Sequence, residues 1–342
     1  MSYKIVIDSC GELLEQWKQD ERFASVPLTL TVGSENIIDD ETFNQADFLQ
    51  KVAACPECPK SACPSPESYR KAFDCEAEHI YCVTLSSELS GSYNSAVLGA
   101  SLLHEEKKGV QIHVFNSCSA SIGQTLIAMK IAQCEDAGLP FEDVVSVVNK
   151  YIEEQHTFFV LENLETLRKN GRLSRVKALV ATALKIKPIM GSTPEGTICQ
   201  LDQARGMNKA LVKMVDKIVE VTENSENKIL AISHCNSPKK ANMLKEAIQE
   251  KMKLADIVVL DTAGVSSMYA NDGGIIVASD ARHRYNSLDC RFSSAVLSSV
   301  AVATATPSSP LSEEIMRQYS RNFFQCLDSF TDNISRGVFC EL

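Results

Sequence analysis

The stretch that most constrains this chain is Leu85-Ser86-Ser87-Glu88-Leu89-Ser90-Gly91-Ser92-Tyr93-Asn94-Ser95-Ala96. It is preceded by His79-Ile80-Tyr81-Cys82-Val83-Thr84, whose β-branched and aromatic residues read as a buried strand. Ala96, Val97, Ala100, Leu102 and Leu103 follow at helical spacing. A strand that hands over to a helix through Ser-Gly-Ser leaves several backbone N–H groups without intrahelical acceptors. Gly91 carries no Cβ to hold a ligand off, and the serine hydroxyls add donors. The turn therefore suits a carboxylate or phosphate. A helix cap with spare serines fits the same residues equally well.

The 342 residues exceed what one core usually organises, so two domains are expected. A net charge of −10 argues against a general binder of nucleic acid or anionic membranes. Opening directly on the strand-like Tyr3 to Asp8 predicts no signal peptide, and no apolar run reaches the ~20 residues a spanning helix needs. The expected location is cytoplasmic, where the thirteen cysteines act mainly as small apolar residues. Cys55-Pro-Glu-Cys58 with Cys63 has half of a zinc-ribbon spacing, but no second Cys/His pair sits at a matching distance, so no metal is expected.

Strand and helix alternate through the first half: strands at Tyr3 to Asp8, Ser25 to Val32, His79 to Thr84 and Gln111 to Asn116, with helices at Thr42 to Ala53, Glu67 to Phe73, after Ser119, and from Phe141 to Glu154. Pro59 to Pro66 reads as an irregular loop. The pattern restarts at Thr157 with a strand, a helix from Leu164 to Lys169 ended by Asn170-Gly171, and a helix capped by Ser174. A hairpin then joins Lys187–Met190 to Thr197–Leu201, and strands at Ile229 to His234, Ile257 to Asp261 and Ile275 to Ala278 follow. The fold expected is α/β in two domains: a mostly parallel, Rossmann-like sheet over 1–156, and a mixed sheet over 157–278. Residues 279–342 change character, with twelve serines, six arginines and no lysine, and a helix expected at about 310–335. An appended interaction helix and an extension of the reading frame both fit this tail.

The ordered motifs resemble the DegV family of bacterial fatty-acid-binding proteins over residues 3 to about 278. Lys4 to Ser9 resembles its opening strand and Val26-Pro27-Leu28 its second. Pro59 to Pro66 is similar to the family's Pro-x-Thr-Ser-Gln-Pro-Ser loop, and Leu85 to Ala96 to its most specific motif. Asn170 to Ser174, Leu184 to Ile189, and Arg205-Gly206 with Lys209-Ala210 resemble three further elements. The resemblance implies that two domains close over a long acyl chain. It implies a carboxylate held by the Ser61 and Ser90 hydroxyls, helped by the Gly91 backbone and the Ser92 hydroxyl. Ser61 stands where the family has threonine, Ala62 and Cys63 where it has Ser and Gln, and Tyr269 where it has a histidine.

The resemblance further implies a non-catalytic carrier that presents its fatty acid to a separate kinase for acyl phosphate formation. Arg172, Arg205 and Tyr269 are then the candidates for partner or phosphate contact. No cofactor is implied, the ligand is a long-chain acid such as palmitate, and any membrane contact is transient. The rival reading is an acyl- or phosphoryl-transfer enzyme using Ser90 as nucleophile with His234, at a strand end, as base; His113, inside a strand, reads as a core residue. Phe159 and Met190 are candidates to cap a tunnel. A scaffold acting through 279–342 is a third reading.

Overall fold

The computed structural model describes residues 2–173 and 185–280. The helix expected after Ser174 and residues 281–342 lie outside the described residues. The elements are β1 (Tyr3–Asp8), β2 (Phe23–Val26), β3 (Thr29–Val32), β4 (Glu35–Ile38), α1 (Gln45–Ala54), β5 (Lys60–Ala62), α2 (Pro66–Phe73), β6 (His79–Thr84), α3 (Ser92–Glu106), β7 (Gln111–Asn116), α4 (Ile122–Asp136) and α5 (Phe141–Glu154). They continue with β8 (Gln155–Val160), α6 (Glu165–Lys169), β9 (Ile186–Ser192), β10 (Ile198–Arg205), α7 (Met207–Val221), β11 (Ile229–His234), α8 (Pro238–Lys251), β12 (Asp256–Asp261), α9 (Gly264–Ala270) and β13 (Ile275–Asp280).

β2-β1-β6-β7 form a sheet whose pairs are all parallel, with Ile5 opposite both Phe23 and Tyr81, and Tyr81 opposite His113. All six residues of β6 are buried, as a strand covered on both faces requires. Tyr69 and Phe73 of α2, with Ala96, Ala100 and Leu103 of α3, pack on Val6, Ile80 and Cys82 of one face. Leu126, Ile127, Ile131, Val144 and Val148 of α4 and α5 cover the other. A mixed sheet, β10-β9-β8-β13-β11-β12, carries the second half, with β11/β12 parallel and its other pairs antiparallel. α7 and α8 bury one of its faces through Leu211, Met214, Ile218, Leu244 and Ile248.

α4 lies between the two sheets. Its core includes Ile5, Ile7 and Val83 from the parallel sheet and Ala231 and Ala278 from the mixed one. That position explains why apolar residues surround this helix instead of forming a stripe, with Ile122, Leu126, Ile127, Ala128 and Ile131 all buried.

Three details depart from the sequence reading. The segment Ser25 to Val32 is two strands, because the chain leaves the parallel sheet at Pro27 and enters a third sheet, β4-β3-β5. The expected irregular loop at Pro59 to Pro66 contains β5, which pairs antiparallel with β3 so that Ser61 sits opposite Leu30. β13 extends to Asp280, pairing Ser279 with Leu230 and His156, so the first two residues assigned to the tail belong to the sheet.

α2 and α3 touch through Gly99. A Cβ there would lie 2.6 Å from the Pro66 carbonyl oxygen and 2.7 Å from Tyr69 Cβ. On an open helix Gly→Ala stabilises by ~1 kcal/mol. Here the two backbones must separate, so Gly99→Ala is expected to destabilise by about 1–3 kcal/mol in urea denaturation. A gain in stability would show that the helices have room to spare.

Candidate functional site

The carboxyl ends of β1, β6 and β7 open on one side into Ser9–Leu14, Leu85–Gly91 and Ser117–Ser121. The connection from β1 runs to β2 on one flank, whereas β6 and β7 lie on the other, so the order of the parallel sheet reverses at β1. A reversal of this kind leaves a crevice at the strand ends, where α/β sheets bind ligands.

A cavity of about 360 Å³ lies there. The parallel sheet's loops contribute Cys10, Leu85, Leu89 to Gly91 and Cys118 to Ser121. The mixed sheet contributes Thr157 and Phe159 of β8 with Leu161 just beyond it, Ile276 of β13, and Gly191, Ser192 and Gly196 to Ile198 of the β9–β10 hairpin. The small sheet supplies Ser61 and Ala62, with Cys63 just after β5, and α9 supplies Val265, Ser266, Tyr269 and Ala270. The hairpin is anchored across the crevice: the Ser86 hydroxyl donates to the Gly196 carbonyl at 2.8 Å. Gly196 has φ +86°, and a Cβ there would lie 2.3 Å from Ser86 Oγ and 2.8 Å from Cys118 Cα, so only glycine fits.

The serine turn is built as its sequence predicts. Gly91 is the N-cap of α3, and the Ser90 hydroxyl accepts from the Ser92 N–H at 3.2 Å, which leaves the Ser90 proton free to donate. β5 ends against this turn: a Cβ on Gly91 would sit 3.3 Å from Cys63 Sγ. Ser61 Oγ lies 3.1 Å from the Tyr269 hydroxyl. The Arg172 Nε donates to the Leu89 carbonyl at 3.1 Å, and its Nη1 donates to the Asn170 carbonyl. Ser61, Ser90, Gly91, Arg172 and Tyr269 are thus brought together on one cavity.

Other expected residues lie elsewhere. Ser92 is fully buried and does not line the cavity; its hydroxyl donates to Asp8 Oδ2 at 2.6 Å and accepts from the Tyr69 hydroxyl, so its helper role is withdrawn. Arg205 is exposed at the end of β10, opposite Ile186 and away from the cavity. His234 is buried outside the cavity, with Nδ1 3.2 Å from Asp261 Oδ1, so the structure does not bring it to Ser90 as a base. His113 packs edge-on against Phe115 in β7, and burial holds its pKa below the usual histidine value. Phe159 lines the cavity, but Met190 is enclosed in the core behind it. The thiols of Cys55, Cys58 and Cys63 face different surroundings: Gly33, then Pro59 and Asn170, then Gly91 and Ser95.

Sequence reading missed the carboxylates behind the cavity. Asp8, at the end of β1, is fully buried and accepts from the Leu85 N–H, the Cys10 N–H, Ser92 Oγ and Gln124 Nε2. Asp39 accepts from the Gly264 and Val265 N–H groups and from Ser9 Oγ. Glu12 accepts from Ser121 Oγ at 2.7 Å. Among the described residues, no lysine or arginine pairs with any of the three. Burial therefore raises all three pKa values, Glu12 to about 7 and Asp39 to about 6. The available signal was an Asp closing a strand directly after the apolar run Ile5-Val6-Ile7 and followed by Ser9-Cys10-Gly11, where an ordinary surface turn would keep its carboxylate in water.

Against this geometry stand the relatives. A sequence profile described as an uncharacterised protein of the DegV family matches residues 2–280. The chain belongs to the DegV family. A DegV domain-containing protein of Streptococcus gordonii is 36% identical over 279 residues, covering 81% of this chain and 98% of that protein. A DegV-family crystal structure from Ruminococcus gnavus, refined with vaccenic acid, is 55% identical with a TM-score of 0.79, covering 81% of this chain and 99% of the other. The Streptococcus pneumoniae Fatty Acid Kinase (Fak) B3 protein, loaded with linoleic acid, is 34% identical with a TM-score of 0.76, covering 82% of this chain and all of that one.

The buried carboxylates set a pH dependence that this DegV chain should display. A carboxyl whose folded pKa lies above its unfolded value adds stability at low pH, and that contribution is lost as pH rises from the unfolded value to the folded one. For Glu12 the window runs from 4.5 to about 7. Between pH 5 and pH 8 the natural chain should lose about 2 kcal/mol more stability than Glu12→Gln, read from urea midpoints. Parallel curves for the two would remove Glu12 from the account.

Proposed function

We propose that this protein is a non-catalytic, cytoplasmic carrier of a long-chain fatty acid, which it presents to a separate kinase for acyl phosphate formation. One observation carries the reading: a largely apolar cavity of about 360 Å³ with hydroxyls and one guanidinium gathered beside the Ser90-Gly91 turn. The relatives crystallised with vaccenic and linoleic acids, the latter belonging to a fatty acid kinase, support it. The carboxylate accepts from Ser61 and Ser90, with the Gly91 N–H beside them at the start of α3. The acyl chain lies between the two sheets, in lobes divided near residue 156, and its burial contributes ~0.8 kcal/mol per CH₂ before ordering costs.

Hydroxyls suit a carrier whose cargo must react elsewhere. They satisfy the carboxylate without the bidentate clamp that an arginine would supply, so an oxygen remains available as nucleophile toward a phosphoryl donor. Arg172, at the cavity, is positioned to meet the added phosphate charge, and exposed Arg205 to meet the kinase. Among the described residues no helix is long and apolar enough to cross a membrane.

Native mass spectrometry of the purified protein should find one fatty acid per chain. Ser61→Ala and Ser90→Ala should each weaken binding by about 1.5–3 kcal/mol, the worth of a hydrogen bond to a charged group, with unchanged thermal midpoints. A protein that purifies empty, takes up no fatty acid and hydrolyses acyl esters would reverse the reading. Arg205→Ala, changing only an exposed side chain, should bind palmitate normally yet lose acyl phosphate formation in a coupled kinase assay; undiminished turnover would return Arg205 to ordinary surface.

A further inference from the structure

Ser61 and Tyr269 are 208 positions apart in the chain and yet meet at 3.1 Å. Both are held by the three-stranded sheet. Ser61 is the middle residue of β5, paired with Leu30 of β3. On the other edge of β3, β4 leads directly to Asp39, whose carboxylate accepts from the first two N–H groups of α9. Tyr269 is carried near the end of that same helix. One strand, β3, therefore sets the position of both hydroxyls, from Ser61 through β5 and from Tyr269 through β4 and Asp39.

We infer that Tyr269 is a positioning residue for the ligand carboxylate: its hydroxyl donates to Ser61 Oγ and so directs the Ser61 proton to the ligand. This rests on the fatty-acid reading given above. Two hydroxyls in contact hold two protons, and only one of them can lie between the oxygens. A phenol is the stronger acid and hence the better donor of the two, which leaves the serine proton to point into the cavity. Burial raises the Tyr269 pKa, so the phenol stays protonated and keeps donating throughout the physiological range. A serine that both accepts from a phenol and donates to an anion is polarised in the direction that strengthens its outgoing bond. The pair also holds the Ser61 rotamer ready before the ligand arrives, which reduces the ordering cost of binding.

Acting through Ser61 gives Tyr269 a signature that a direct contact or a purely structural role lacks: its contribution vanishes when Ser61 is removed. The test is a double-mutant cycle on the full, delipidated chain, with palmitate affinity read by isothermal titration calorimetry. Tyr269→Phe should bind about tenfold more weakly than the natural chain, at the same thermal midpoint. Ser61→Ala should lose at least as much, and the double variant should match Ser61→Ala within about twofold, a non-additivity that marks one linked unit. Losses that multiply in the double variant would make Tyr269 an independent ligand contact and overturn the inference. Natural affinity in Tyr269→Phe overturns it as well while leaving the fatty-acid reading standing. A natural chain that takes up no palmitate overturns that reading and the inference with it.

Discussion

The Asp8 carboxylate is the interaction on which the rest of the site depends. It closes β1, the strand at which the parallel sheet reverses order, and each oxygen accepts two hydrogen bonds. Through the Leu85 N–H and Ser92 Oγ it fixes both ends of the serine turn; through Gln124 it fixes the first turn of α4. A fully desolvated carboxyl is costly unless its acceptor positions are filled, and here four groups from three segments fill them. The turn proposed to receive the ligand is thereby shaped from behind by a carboxyl group that does not itself line the cavity. Asp39 repeats the device at α9, taking the first two N–H groups of that helix, which have no acceptor within it.

What could be read in the sequence was whatever depends on near neighbours. The step from the buried strand His79–Thr84 to the helical spacing of Ala96 to Leu103 is written in a change of period, and the structure follows it with a helix that begins four residues earlier, at Ser92. The parallel sheet and the mixed sheet were likewise visible in the alternation of elements. β5 was not, because three residues between prolines have no periodicity of their own and become a strand only by pairing with β3. The same holds for the break at Pro27, where a run of extended residues changes sheet.

Within the site, hydroxyl density located the turn but not the direction of each hydroxyl. Ser90 precedes the Gly91 cap and faces the cavity, whereas Ser92, the first residue of α3, is turned by the helix toward Tyr69 and Asp8. Two residues of separation across a helix start are enough to send neighbouring serines to opposite tasks. Arg172 and Tyr269 were reachable only through family resemblance, since a loop arginine and a tyrosine in a short helix carry no pattern that points to a cavity. The buried carboxylates were overlooked for the reverse reason: Asp and Glu after a strand ordinarily signal a solvated turn.

The burial of α4 between two sheets bears on whether this chain can be divided. Expressed alone, residues 157–280 would carry Ala231, Ala278, Ile229, Val258 and Ile276 on a sheet face whose covering helix belongs to the other half. Such an uncovered face tends to recruit another copy, so the fragment would be prone to self-association. A family assembled this way is poorly suited to exchanging its halves by recombination, because a new first half must bring a helix whose two opposite sides already match two different sheets. Sequence change in α4 is therefore expected to be slower than in α7 or α8, each of which answers to one sheet only.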